Sequence, residues 1–146
     1  MRTALALGTA AALALAAVPA LADTDLTGSW AASYTAVSPT NNRGEGPRFN
    51  QAEWQLTITE QQGNVFYGQT KWRTVNSPDW TTLQVTGNIS ADGSGRIGIV
   101  EIGTEEPYDV HSVIDGLLDG DRIYVDYRSI RSGATYSAVL EKSEAN

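Results

Sequence analysis

Apolar and polar residues alternate in short segments along most of this chain. In residues 54–60, for example, Trp54, Leu56 and Ile58 share one side of an extended chain, and polar residues occupy the other side. This period of two is typical of β-strands with one buried face, and no long segment shows the period of an amphipathic helix. Strand-like segments separated by turn residues recur at 26–37, 54–60, 65–75, 81–90, 96–102, 108–117, 122–130 and 135–142. The pattern predicts an all-β fold.

The spacing of these segments favours one topology. Most connections are short turns such as Asp119-Gly120-Asp121, which suit consecutive antiparallel strands. Closing such a meander removes exposed sheet edges, so we predict a single eight-stranded antiparallel up-and-down barrel, whose interior holds side chains or one small ligand. The exception is the segment 38–53, rich in Pro, Gly and Asn. We interpret it as a lid or binding loop, or alternatively as a passive surface loop.

Residues 1–22 have the features of a secretory signal peptide. Arg2 is followed by a run rich in Ala and Leu, and the segment ends in Ala20-Leu21-Ala22, the small-residue pattern that signal peptidase recognises. We therefore predict cleavage before Asp23, a barrel domain over residues 23–146, and a periplasmic or secreted location. The apolar run is too short for a stable membrane span, and no second such run follows it.

Composition narrows the classes of function. The chain has 17 acidic and 10 basic residues, a formal net charge of −7, which disfavours binding to nucleic acid or to anionic membrane surfaces. It has no cysteine and one histidine, which excludes disulfides, cysteine nucleophiles and histidine-rich metal sites. We expect neither a cofactor nor a bound metal, and the sequence does not specify the oligomeric state.

Two groups of residues resemble known barrel proteins. Leu26-Thr27-Gly28-Ser29-Trp30 resembles the first strand of the calycin group, the lipocalins and avidins, in which a Gly-x-Trp near the N-terminus closes the barrel floor. The segment 54–63, followed by Phe66-x-Gly68, is similar to a group of exported bacterial barrel proteins. The resemblance implies a calycin-like barrel with a closed floor and a free opposite end. The tryptophan-bearing later strands of avidins and the cysteines of lipocalins are missing.

Aromatic residues give the main indication of a binding site. Five of them fall on core-compatible faces of the predicted strands: Tyr34, Trp54, Phe66, Trp72 and Tyr127. Aromatic walls with a few polar groups are typical of small-molecule sites, although the same side chains can simply fill a narrow barrel. We assign these five residues and Glu101 to a candidate ligand-binding site. The predicted function is an exported, non-catalytic barrel that binds a small apolar or aromatic ligand in its interior.

Two titratable residues offer acid–base chemistry and therefore alternative functions. Glu101 shares a strand face with two isoleucines, which would bring its carboxyl group into the barrel and raise its pKa, but the opposite orientation fits the pattern equally well. His111 lies between Asp109 and Asp115 on one strand face, which we expect to be solvated. The alternatives are a small cyclase or isomerase that uses Glu101 or His111, and a protein-interaction or inhibitor module that acts through the 38–53 loop.

Overall fold

The computed structural model describes residues 24–39, 46–105 and 109–143. These ranges contain eight strands: β1 (Gly28–Ser38), β2 (Arg48–Gln62), β3 (Val65–Thr74), β4 (Thr81–Ile89), β5 (Arg96–Ile102), β6 (Val110–Asp119), β7 (Arg122–Ser129) and β8 (Thr135–Ser143). Each strand pairs antiparallel with the next and β8 pairs with β1, which confirms the predicted up-and-down barrel. No helix is present in these ranges, and hence none that is long and apolar enough to cross a membrane. The predicted signal peptide and its cleavage site lie outside them.

The hairpin of β1 and β2 is longer than the sequence pattern predicts. Residues 48–53 pair in register with β1, with Phe49 opposite Val37 and Ala52 opposite Tyr34. The predicted loop over 38–53 is therefore wrong at both ends, since the connection covers 39–47, of which 40–45 lie outside the described residues. The tip of this hairpin extends beyond the pairing of β2 with β3, and Phe49 there is 71% exposed. Because the tip does not bury one face in the barrel, apolar and polar residues do not alternate along it.

Trp30 closes one end of the barrel. Its side chain is buried, and its indole N–H donates a hydrogen bond of 2.9 Å to the carbonyl oxygen of Leu26. The backbone N–H of Leu26 donates to Oε1 of Gln61 at 2.8 Å, which ties the segment before β1 to the end of β2. The Lys142 ammonium lies 5.4 Å from the centroid of the Trp30 ring, a cation–π distance. These contacts seal the end at which β1 begins.

The inward-facing side chains form one core that is mostly aliphatic between the floor and the opposite end. Its buried members include Leu56, Ile58, Val85, Ile89, Ile97, Ile99, Ile114, Ile123, Val125 and Leu140. β5 is the strand whose orientation the sequence leaves open. Glu101 points inward with the two isoleucines, whereas Val100 and Ile102 are half-buried on the other face. The register explains this orientation, because Glu101 lies opposite Val85 of β4 and Ser112 of β6, and both of those side chains are buried.

Candidate functional site

The end of the barrel opposite Trp30 contains a cavity of about 390 Å³, which we call the mouth cavity. Aromatic residues form much of its wall: Tyr34, Trp54, Trp72, Tyr127 and Tyr136. Polar residues from the strand ends and from the turn after β7 form its rim: Ser38, Asn50, His111, Ser129, Arg131 and Ser132. Four of the six residues that the sequence assigns to a ligand site therefore line one cavity.

A wider depression of about 680 Å³ lies on the outer face of the barrel, over β5 to β8. We call it the outer depression. It is lined in part by Leu117, Tyr124 and Val139, which are exposed, and by charged residues such as Arg96 and Asp115. The outer depression is more open to solvent than the mouth cavity. Because ligand sites are concave and bury most of the ligand, the mouth cavity is the better candidate.

Three tyrosines form a stack in the wall of the mouth cavity. The ring of Tyr136 lies between those of Tyr34 and Tyr127, with centroid distances of 3.7 and 4.3 Å and interplanar angles of 19° and 13°. Trp54 meets Tyr136 edge-on, with a centroid distance of 6.3 Å and an angle of 71°. The register of β7 and β8 explains part of this stack, because Tyr127 pairs directly with Tyr136. The sequence pattern did not assign Tyr136 to the candidate site. Counting residue pairs outward from the turn between β7 and β8 places Tyr136 opposite Tyr127.

Among the described residues, Glu101 is the one acidic residue whose side chain is buried in the barrel interior. The hydroxyl of Thr70 donates a hydrogen bond of 2.7 Å to its Oε1, and the hydroxyl of Ser112 donates one of 2.6 Å to its Oε2. Burial raises the pKa of Glu101, and the two hydroxyl groups offset only part of that effect. The interior therefore holds a carboxyl group that retains its proton at pH values where an exposed glutamate has lost it.

Two aromatic side chains of the mouth cavity also approach Glu101. Trp54 and Tyr127 line the cavity, and both also interact with the Glu101 carboxyl group. The buried indole N–H of Trp54 makes no hydrogen bond of regular geometry with any described residue, but it is close enough to the carboxyl group to favour its ionised form. Burial raises the pKa of Tyr127 to about 12 and also raises the pKa values of Tyr34 and Tyr136. The three phenols are therefore neutral at physiological pH.

An irregularity in β6 brings His111 to the rim of the mouth cavity. Glu101 of β5 pairs with Ser112, whereas the next residue, Ile102, pairs with Val110. His111 is therefore the extra residue of a β-bulge, which redirects side chains relative to a regular strand. Simple alternation along the strand does not reveal such a bulge, so the sequence pattern places His111 on the wrong surface.

The surroundings of His111 also differ from the sequence expectation. Nη1 of Arg131 lies 3.1 Å from Nε2 of His111. Because a guanidinium group can only donate, Nε2 of His111 is the acceptor in this contact. The expected grouping of His111 between Asp109 and Asp115 is not formed, since Asp115 instead accepts a hydrogen bond of 2.6 Å from Nη1 of Arg128. His111 is half-buried and lines the cavity rather than lying in solvent.

The remaining predicted site residues lie away from the cavity lining. Phe66 is buried in the closed half of the barrel, where its ring packs against Gly87. Glu101 is fully buried and is not part of the cavity lining. In the 38–53 segment that the interaction hypothesis uses, residues 48–53 belong to β2, and residues 40–45 lie outside the described residues. The described part of the chain holds no cluster of three or more His, Asp or Glu side chains suited to a metal ion.

Comparisons with known proteins do not place this chain in a family. No protein-family model matches the sequence, and no curated protein matches it. Any function assigned to the chain therefore rests on the geometry of the mouth cavity and of the groups around it.

Proposed function

We propose that the barrel binds a small molecule with a flat apolar body in the mouth cavity. The observation that carries this proposal is the aromatic lining of a cavity of about 390 Å³. Small-molecule sites typically enclose about 300–1,000 Å³ and combine apolar and aromatic walls with a few polar groups. The cavity lies near the lower end of that range, which suits a ligand of one or two fused rings.

The wall of the cavity is organised without a ligand. Tyr136 is held between Tyr34 and Tyr127, so these rings lose little further freedom when a ligand packs against them. At the rim, Asn50 and Ser129 offer hydrogen bonds that would orient a polar substituent. We extend the proposal to an exported, calycin-like protein on the basis of the signal-peptide pattern in residues 1–22 and of Gly28-Ser29-Trp30.

A second candidate function is acid–base catalysis by Glu101. Its burial and its raised pKa are features of catalytic carboxyl groups. However, Glu101 is fully buried and does not line the mouth cavity, so a substrate in the cavity would touch its carboxyl group only after surrounding side chains move. Binding requires no such movement, and it is therefore the function that the geometry supports best.

Calorimetric titration with 2-naphthamide, a neutral planar probe, tests the binding proposal. The informative variant is Trp72→Leu, which removes a ring that lines the cavity. Trp80→Leu is its matched control, because Trp80 is also half-buried at this end of the barrel but stacks on Arg73 at 4.6 Å and does not line the cavity. We expect Trp72→Leu to weaken binding at least about fivefold, equivalent to roughly 1 kcal/mol of lost aromatic contact.

Trp80→Leu should bind the probe as the wild-type protein does. The binding proposal would be wrong if the wild-type protein bound neither 2-naphthamide nor its carboxylate analogue 2-naphthoate at millimolar concentration. It would also be wrong if the two tryptophan variants weakened binding equally while both remained folded.

A further inference from the structure

The charge of the mouth cavity differs from that of the whole protein. The chain has 17 acidic and 10 basic residues. Of the described residues that line the cavity, however, none is Asp or Glu, and Arg131 is the one Arg or Lys. The tyrosines of the wall are neutral because burial raises their pKa values. Arg131 is therefore the one permanently charged side chain among the described residues of the cavity lining.

Arg131 is held at the rim by the turn that joins β7 to β8. The hydroxyl of Ser132 donates a hydrogen bond of 2.9 Å to the hydroxyl oxygen of Ser129, and its backbone N–H donates to the same oxygen at 3.1 Å. The backbone N–H of Ile130 donates to the carbonyl oxygen of His111 at 2.9 Å, which ties the turn to β6. These bonds fix the backbone on both sides of Arg131 before a ligand arrives.

The guanidinium group of Arg131 keeps donors for a ligand. It has five N–H donors. Among the described residues, its Nη1 contacts the acceptor Nε2 of His111 at 3.1 Å. Within the described part of the chain, no carboxylate oxygen lies within 4.0 Å of Arg131. By contrast, Arg73, Arg122 and Arg128 each pair with an acidic side chain. Arg131 thus lines the cavity and forms no ion pair with any acidic side chain in residues 24–39, 46–105 and 109–143.

We propose that the ligand of the mouth cavity is a small organic carboxylate, with its flat apolar body among the aromatic rings and its carboxylate group bound by Arg131. This inference rests on the proposed function of the cavity and names the chemical class of its ligand. A planar carboxylate matches the fork of a guanidinium group and accepts two parallel hydrogen bonds from it. The buried carboxyl group of Glu101 opposes such an anion little while it is protonated.

A matched pair of probes tests this inference. 2-Naphthoate and 2-naphthamide have nearly the same shape and differ in charge, and both are titrated calorimetrically into the wild-type protein, Arg131→Gln and Arg128→Gln. Arg128 is the control because it pairs with Asp115 and does not line the cavity. Both variants lose one positive charge, so the field of the whole protein changes equally.

We expect the wild-type protein to bind 2-naphthoate at least about fivefold more tightly than 2-naphthamide. Arg131→Gln should lose this preference and keep its affinity for the amide, and Arg128→Gln should retain the preference. The net charge of −7 by itself favours the neutral probe, so a preference for the anion must have a local origin.

Four results would overturn the inference. If the wild-type protein binds both probes equally, the ligand is not selected as an anion. If the preference survives in Arg131→Gln, a group other than Arg131 selects the anion. In both cases the proposed binding function still stands. If neither probe binds the wild-type protein, the binding function and the inference both fail. If folded Arg131→Gln loses affinity for both probes alike, Arg131 shapes the cavity and does not recognise charge.

Discussion

Replacing Tyr136 with leucine tests whether the tyrosine stack organises the open end of the barrel. Tyr136 is 7% exposed and contacts Tyr34 and Tyr127 face to face and Trp54 edge-on. Each such aromatic contact contributes about 0.5–1.5 kcal/mol beyond the burial of apolar area. Three independent contacts would total about 1.5–4.5 kcal/mol, and because they share one ring we expect Tyr136→Leu to lower the free energy of unfolding by about 2–4 kcal/mol.

The matched control is Tyr124→Leu. Tyr124 lies on the adjacent strand β7, is 41% exposed, and faces outward opposite Val139. Surface substitutions of this kind change stability by only about 0.5 kcal/mol. A third variant, Tyr136→Phe, keeps the ring and removes the hydroxyl group, so it should cost about 1 kcal/mol or less.

Urea denaturation followed by circular dichroism measures these differences. With a slope of about 2 kcal/mol per molar urea, the middle of the usual range, Tyr136→Leu should shift the midpoint by about 1–2 M. The same variant should bind 2-naphthamide more weakly, because the wall of the mouth cavity loses its central ring. If Tyr136→Leu and Tyr124→Leu proved equally stable, the stack would not be a stabilising element and the reasoning would be refuted.

Two further predictions concern the core. Gly87→Ala should lower the free energy of unfolding by about 1–3 kcal/mol in urea denaturation, because its Cβ would overlap the Phe66 ring and lie 2.8 Å from the carbonyl oxygen of Gly98. The control Gly98→Ala places its Cβ 3.3 Å from a side-chain oxygen and should cost less than about 1 kcal/mol. Equal losses in the two variants would contradict this packing. Glu101→Gln removes a carboxyl group whose pKa in the folded protein lies above its ordinary value of 4.5. At pH values between the unfolded-state and the folded-state pKa of Glu101, the folded wild-type protein therefore binds more protons than the unfolded chain. The stability of the wild-type protein relative to Glu101→Gln should therefore fall as the pH rises from 4.5 through the raised pKa, which urea denaturation at several pH values measures. A difference independent of pH would contradict the burial of an ionisable carboxyl group.

The strands and the barrel follow from the sequence because burial of one face imposes a period of two. Trp54, Leu56 and Ile58 alternate with polar residues, and all three are buried in the barrel. The pattern fails at the tip of the first hairpin, where Phe49 pairs with Val37 but has no interior to face. Backbone pairing extends β2 there, and the pattern of apolar residues does not indicate this extension.

The candidate site follows from the sequence only in part. Tyr34, Trp72 and Tyr127 point toward the cavity because their strands alternate regularly. The orientation of Glu101 depends on the neighbours it meets across β4 and β6, and one strand read alone cannot supply them. His111 reaches the rim through a bulge, which depends on the register between two strands.

Phe66 shows that the predicted face of a strand does not give the position of a residue along the barrel axis. It faces the interior as its segment predicts, but it lies in the closed half of the barrel, away from the mouth cavity. Alternation fixes which side of the sheet a residue occupies, whereas its height along the barrel axis depends on the stagger between neighbouring strands. Residues on the same face can therefore belong to different ends of the barrel.

The most direct measurement of the central claim is the location of a bound probe by intermolecular nuclear Overhauser effects. The ring protons of 2-naphthamide should show contacts to Trp72, Tyr34 and Tyr127 in the mouth cavity. Contacts to Leu117 and Tyr124 in the outer depression, with none to the mouth cavity, would contradict the account.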